Sequence, residues 1–298
     1  MSNGKKSCVF QGVATALITP FKNGKIDFDS FSKFIDWQIE SGVDALVVCG
    51  TTGEGSTLSD EEHRECIKFV VDKTNGRVPV IAGTGSNDGA YAIDLSKGAC
   101  ELGADALLVV TPYYNKATQD GLVELFTKIS LNSTLPIILY NVPSRTALNI
   151  EPATYKKLCD LDNIVGIKEA NGNIASVAET LSLVGDSLDI YSGNDDSITA
   201  IMSLGGKGVI SVLSNVIPKE TCEIAHAALK GDFKKSANLQ VKYFDLCKAL
   251  FSEVNPIPVK AACAKMGFCE NSLRLPLTPM SKDKEIVLFD VMKKHGVI

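Results

Sequence analysis

The chain has only three histidines, His63, His226 and His295, and they stand far apart. No HxH or HExxH pair and no paired carboxylates fall where a strand is expected to end. This argues against a metal centre, and the missing histidine argues equally against a Ser/His/Asp hydrolase. No apolar stretch reaches the roughly 18 residues of a membrane-spanning helix, so no membrane partner is expected. Lys/Arg-rich runs are also missing, and the net charge is −5, which offers no footprint for nucleic acid. Nine cysteines are present and none sits in a CxxC pair. An odd number scattered through apolar segments reads as small buried hydrophobes in a reducing compartment, and the cytoplasm is the expected location. Linkers rich in Gly, Ser or Pro are absent, as are low-complexity segments and sequence repeats. The basic start, residues 1–6, leads into Cys8-Val9-Phe10 and has a weak likeness to a leader peptide. Gln11, Thr15, Thr19 and Pro20 break the apolar run, so a first strand is the expectation.

What the chain does have is a rhythm. Over 298 residues, 45% of them apolar, short runs rich in Val, Ile and Leu alternate with amphipathic segments. The pattern predicts strands over 13–19, 45–49, 78–83, 106–111, 136–141, 164–168, 188–192 and 208–212. It predicts helices over 27–41, 59–74, 88–102, 119–131, 151–158, 173–184, 195–204 and 218–229. Continuous apolar strands of this kind are buried on both faces, as in parallel sheets. Eight βα units within roughly 220 residues fit a closed (β/α)8 TIM barrel, an α/β fold; a doubly wound open sheet is the alternative. The expected organisation is a catalytic barrel over 1–232 and a helical region over 233–298 packed on it. That region is expected to hold helices over 232–251, 256–266 and 282–294.

In such a barrel the active site lies at the C-terminal ends of the strands. Lys168 closes the apolar run Ile164-Val165-Gly166-Ile167. Desolvation there favours the neutral amine, the form that attacks a ketone to give an imine. The other reading is a rim lysine paired with a carboxylate. Glu169 is a poor partner, because neighbours on a strand face opposite ways. Tyr140 ends the adjacent strand and is a candidate general acid/base, or simply a rim tyrosine. Thr51 and Thr52 add hydroxyls, or cap a loop. Arg145 follows Tyr140 and suits a carboxylate, or is a surface arginine. Tyr113-Tyr114, in a loop, invite an interface reading. Gly83-Thr84-Gly85 and Gly205-Gly206-Lys207-Gly208 would suit a phosphate or tight turns equally. The pair Asp195-Asp196 reads as the acidic start of a helix.

Three motifs, Gly50-Thr51-Thr52-Gly53-Glu54, Tyr140-Asn141-Val142-Pro143-Ser144-Arg145-Thr146 and Gly166-Ile167-Lys168-Glu169, resemble those of the dihydrodipicolinate synthase family. That family belongs to the pyruvate-dependent class I aldolase and N-acetylneuraminate lyase superfamily. The resemblance covers the chain from about residue 12 to its end. It implies a lyase of lysine and diaminopimelate biosynthesis that condenses pyruvate, held as a Schiff base on Lys168, with L-aspartate-4-semialdehyde and uses no cofactor. It further implies that Tyr140 moves protons through a relay with Thr51 and a Tyr114 from a neighbouring subunit. Thr52 would bind the pyruvate carboxylate, Arg145 would receive the second substrate, and Gly193 and Ile210 would line the pocket. A homotetramer, as a dimer of dimers, is implied as well. Ala147 stands where the family often has glycine. Asn87, His63 and Tyr113 match a lysine-binding regulatory site, whereas Asp60 and Tyr91 replace its histidine and glutamate, so feedback inhibition by lysine is expected to be weak or absent. A pyruvate aldolase acting on a sugar acid, a silent ligand-binding homologue and a phosphate-handling barrel are the competing readings.

Overall fold

The computed structural model describes residue 6 and residues 8–298; most of the basic start lies outside the described residues. Eight strands close into one parallel barrel: β1 (Gly12–Ala16), β2 (Ala45–Val48), β3 (Val80–Gly83), β4 (Ala106–Val110), β5 (Ile137–Asn141), β6 (Ile164–Glu169), β7 (Asp189–Ser192) and β8 (Gly208–Ser211). Closure comes from β1, which pairs in parallel with both β2 and β8. A two-stranded hairpin, Phe21–Lys22 with Lys25–Ile26, follows β1.

Alternation along each strand sorts the core into two layers. Ala14, Ala45, Val47, Ile81, Ala106, Leu108, Ile138, Tyr140 and Tyr191 fill the barrel. Val13, Leu46, Val48, Leu107, Leu139, Ile164, Ile167 and Val209 pack outward with helix residues such as Phe31, Phe34 and Ile67. The lower end is stoppered by Phe10, whose ring stacks on Tyr191 at 4.3 Å and whose carbonyl accepts the Tyr191 hydroxyl at 2.9 Å. Helices begin where short polar side chains can serve unpaired N–H groups. Ser59 and Glu62 form a reciprocal capping box at the start of Asp60–Thr74, which ends at a left-handed Asn75.

The C-terminal region consists of helices Phe233–Lys242, Phe244–Leu250, Ile257–Lys265 and Lys282–Lys294. The single helix expected over 232–251 is therefore two. The break is at Tyr243, which leaves helical geometry (φ −100°, ψ 11°) and is buried, with its ring 5.1 Å from that of His295. The bend lets Phe244–Leu250 pack on the last helix and bury Leu246 and Leu250, a tertiary gain that overrides local helix periodicity. No described helix is long and apolar enough to cross a membrane.

Candidate active site

The upper ends of β5 and β6 bring the two most informative side chains together. The strands pair with one irregularity, an extra residue at Val165, and then run in register: Tyr140 opposite Lys168 and Asn141 opposite Glu169. Lys168 is 6% exposed and its Nζ lies 4.2 Å from the centroid of the Tyr140 ring, within cation–π range. Glu169 faces the other way. Its carboxylate accepts from Asn141 Nδ2 at 3.0 and 3.2 Å, Asn171 N at 2.9 Å and the Tyr155 hydroxyl at 3.2 Å. Burial nevertheless pushes the Glu169 carboxyl up to about 7. Burial raises Asp195 as well, against hydrogen bonds from its neighbours and the opposing influence of the Lys168 charge.

The turn after β2 is tight. Gly53 N and Gly55 N both donate to Gly50 O, at 3.1 and 3.2 Å. Gly55 and Gly83 press against the Cys49 carbonyl, where a Cβ would come within 2.3 and 2.5 Å of the oxygen, so no side chain fits at either position. Thr52 is buried, and its hydroxyl accepts from Asn255 Nδ2 at 3.0 Å. Arg145 lies on the short helix Pro143–Thr146 and donates through Nη2 to Asn255 O at 3.0 Å. Gly193 N donates to Glu169 O at 2.7 Å, and a Cβ there would lie 2.7 Å from that of Ala170. Ile210 is fully buried on β8.

A cavity of about 300 Å³ opens between these loops. It brings Thr51, Tyr140 and Arg145 to one space and continues to Tyr113 and His63. Lys168, Thr52, Gly193 and Ile210 are not part of its lining, and neither is Asn87, whose carbonyl accepts from Asn115 Nδ2 at 2.8 Å. Tyr114 turns away from it, 90% exposed, with φ at +75°. His63 is buried with Nε2 2.8 Å from Gly83 O, and burial lowers its pKa. Near it, the Tyr91 hydroxyl donates to Asp60 Oδ1 at 3.2 Å, and Asp60 also pairs with Arg64 Nε at 3.0 Å.

Residues 9–295 match the sequence profile of the Dihydrodipicolinate synthetase family. The chain belongs to that family. It is 54% identical over 292 residues to the 4-hydroxy-tetrahydrodipicolinate synthase of Lachnoclostridium phytofermentans, covering 97% of this chain and 99% of that protein. It is 52% identical over 291 residues to the enzyme of the same name from Thermoanaerobacter sp. (strain X514), covering 97% and 98%. Its fold matches the crystal structure of dihydrodipicolinate synthase from Thermotoga maritima with a TM-score of 0.96 at 45% identity, covering 98% of this chain and all of that one.

At Asp195 and at Gly205–Gly208 the structure of this family member refines what the sequence suggests. Asp195 and Asp196 do open a helical turn, Asp195–Ser197, as expected, but Asp195 is also buried, and its Oδ2 accepts from Val212 N and Leu213 N, both at 2.9 Å, tying the loop after β7 to the end of β8. The Gly205–Gly208 stretch is no phosphate cradle at the mouth. It precedes β8 at the opposite end of the barrel, where Lys207 O accepts from Gly12 N at 2.9 Å. Sequence reading also missed Asn255, the bridge between Thr52 and Arg145. Its polar side chain beside Pro256, at the start of an otherwise apolar helix, was the available signal.

Proposed function

We propose that the protein is a 4-hydroxy-tetrahydrodipicolinate synthase that condenses pyruvate with L-aspartate-4-semialdehyde, the step that leads into diaminopimelate and lysine. The observation that supports this most is the buried Lys168 amine over the Tyr140 ring at the ends of adjacent strands, beside a cavity shared by Tyr140, Thr51 and Arg145. A lysine removed from water and free of its neighbour Glu169 is suited to attack the pyruvate ketone and expel water as the imine forms. The imine acidifies the pyruvate methyl group, and loss of a proton gives an enamine. The enamine carbon attacks the aldehyde, whose oxygen takes up a proton. The amino group of the second substrate then attacks the imine carbon, and Lys168 leaves as the free amine when the ring closes.

In this reading Tyr140 moves protons, relayed by Thr51 to the partner subunit's Tyr114. Thr52 binds the pyruvate carboxylate and Arg145 the carboxylate of the semialdehyde, while Gly193 and Ile210 shape the pocket through their backbone. The reaction needs no cofactor. The exposed Tyr114 ring supports an assembly of at least two subunits, and we infer a dimer of dimers. All nine cysteines are unpaired, which suits the cytoplasm. Lysine is a weak inhibitor in this reading, in which Asn87, His63 and Tyr113 match a regulatory site, because Asp60 is committed to Arg64 and to Tyr91, and Tyr91 lines the extension of the cavity with His63 and Tyr113.

The direct test is condensation of the two substrates, coupled to a reductase that consumes the product with NADPH. Turnover that disappears in Lys168→Ala supports both the substrate pair and the imine. Well-folded protein without turnover removes the proposal, and borohydride trapping with pyruvate then separates another aldolase from a silent homologue.

A further inference from the structure

The turn that carries Thr51 and Thr52 is held from outside the barrel. It is bracketed by two non-glycine residues in the left-handed region, Cys49 (φ 56°) and Glu54 (φ 54°). Such a conformation persists only where the surroundings enforce it. Glu54 turns its side chain inward, and its Oε1 lies 2.8 Å from Lys260 Nζ, with neither side chain exposed. Lys260, on helix Ile257–Lys265, also donates to Thr19 O at 2.6 Å and Ser272 O at 3.3 Å and sits 4.6 Å from the Phe21 ring centroid. The other oxygen of Glu54 accepts from Arg274 N at 3.0 Å. The Arg274 guanidinium grips Glu62 at 2.5 and 2.6 Å, donates to Thr57 O at 3.0 Å and stacks 4.5 Å over Phe21. That grip holds the Glu62 carboxyl down at about 2.

Stability alone is a poor account of this cluster. Removing two opposite charges from water costs about as much as their attraction returns, and well-packed apolar residues often do as well or better. A buried pair is better explained by the one arrangement it enforces. Here that arrangement is the path of residues 50–54.

We propose that the buried Glu54–Lys260 pair, braced by Arg274, is a positioning device that fixes the turn so that Thr52 meets the substrate carboxylate. The C-terminal helical region supplies no atom to the imine, yet it sets the affinity of the site for pyruvate. This rests on the pyruvate reading above. Glu54, Lys260 and Arg274 are positioning residues and touch no reacting atom.

The test compares the full-length parent chain with Lys260→Met, the double variant Glu54→Gln/Lys260→Met, and Arg274→Gln. Three quantities are measured: the pyruvate concentration that half-saturates borohydride trapping, KM and kcat in the coupled assay, and the thermal midpoint. Lys260→Met leaves Glu54 buried and alone, so it loses stability and weakens pyruvate binding together. The double variant removes both charges. Its thermal midpoint returns towards the parent, while half-saturating pyruvate and KM stay raised by about tenfold or more, with kcat much less affected. Arg274→Gln, at a partly exposed position, shifts the same quantity in the same direction by a smaller factor and provides the reading if the buried variants do not fold. A folded double variant with parental half-saturation, or no shift in Arg274→Gln where that is the only folded variant, overturns the inference alone. A parent chain that traps no pyruvate overturns the functional reading and this inference with it.

Discussion

An amine over a phenol ring and a carboxyl group on the reverse face of the same strand stand at consecutive positions, Lys168 and Glu169. Loss of the first removes the nucleophile: Lys168→Ala is expected to abolish the borohydride-stable pyruvate adduct by mass spectrometry and to lower turnover by roughly 10⁴-fold or more. Lys260, the other buried lysine, is held by Glu54 and is expected to carry no adduct. Glu169 gives a stability signature. Its folded value of about 7 lies above the 4.5 of an unperturbed glutamate, so folding favours the protonated form. Its contribution is fully present below pH 4.5, declines as the pH rises to about 7, and is then constant. The difference is worth about 3 kcal/mol. Glu169→Gln should flatten this dependence, seen as a thermal midpoint that falls less than the parent's between pH 4.5 and 7; parallel curves would refute the assignment. For Arg145→Ala, a KM for the semialdehyde raised by about 10–100-fold with pyruvate KM unchanged is expected.

At the scale of elements, the eight strands were legible because each is a continuous apolar run, and the ends of most were legible because polar residues interrupt those runs; the first, expected over 13–19, stops earlier, at Ala16. Lys168 and Tyr140 could be placed from this alone, since neighbouring strand ends in a parallel barrel share one mouth. What could not be read was contact between distant segments. Asn255 meets Thr52, Lys260 meets Glu54 and Arg274 meets Glu62 across more than 200 residues of chain, and no local period encodes such meetings. The same is true of Asp195, whose place at a helix start was legible and whose partners, two N–H groups beyond β8, were not. Asp195→Ala would leave those N–H groups buried and unpaired. A loss of about 2–3 kcal/mol is expected in denaturant unfolding, with looser pyruvate binding beside Ile210. A variant as stable as the parent would show that the tie is dispensable.

At the scale of the whole molecule, the proposed relay through a partner subunit's Tyr114 would make the site a property of two chains. Tyr114→Phe and Lys168→Ala should each be nearly inactive alone, the first through the relay and the second through the imine. Co-expressed, they should recover activity, because a subunit with its lysine intact receives a tyrosine from its partner; mixed assemblies without recovery would count against the shared site. The proposed chemistry uses one phase of the pleat of β6. Lys168 and Glu169 are consecutive, yet one is presented to the mouth and the other to the helices. Deletion of Ile167, with the pairing below it kept, would carry Lys168 to an outward position and Glu169 to the inward one, offering an acid where the nucleophile stood. A change of length alone would then erase the proposed chemistry, with both the lysine and the glutamate still present in the chain.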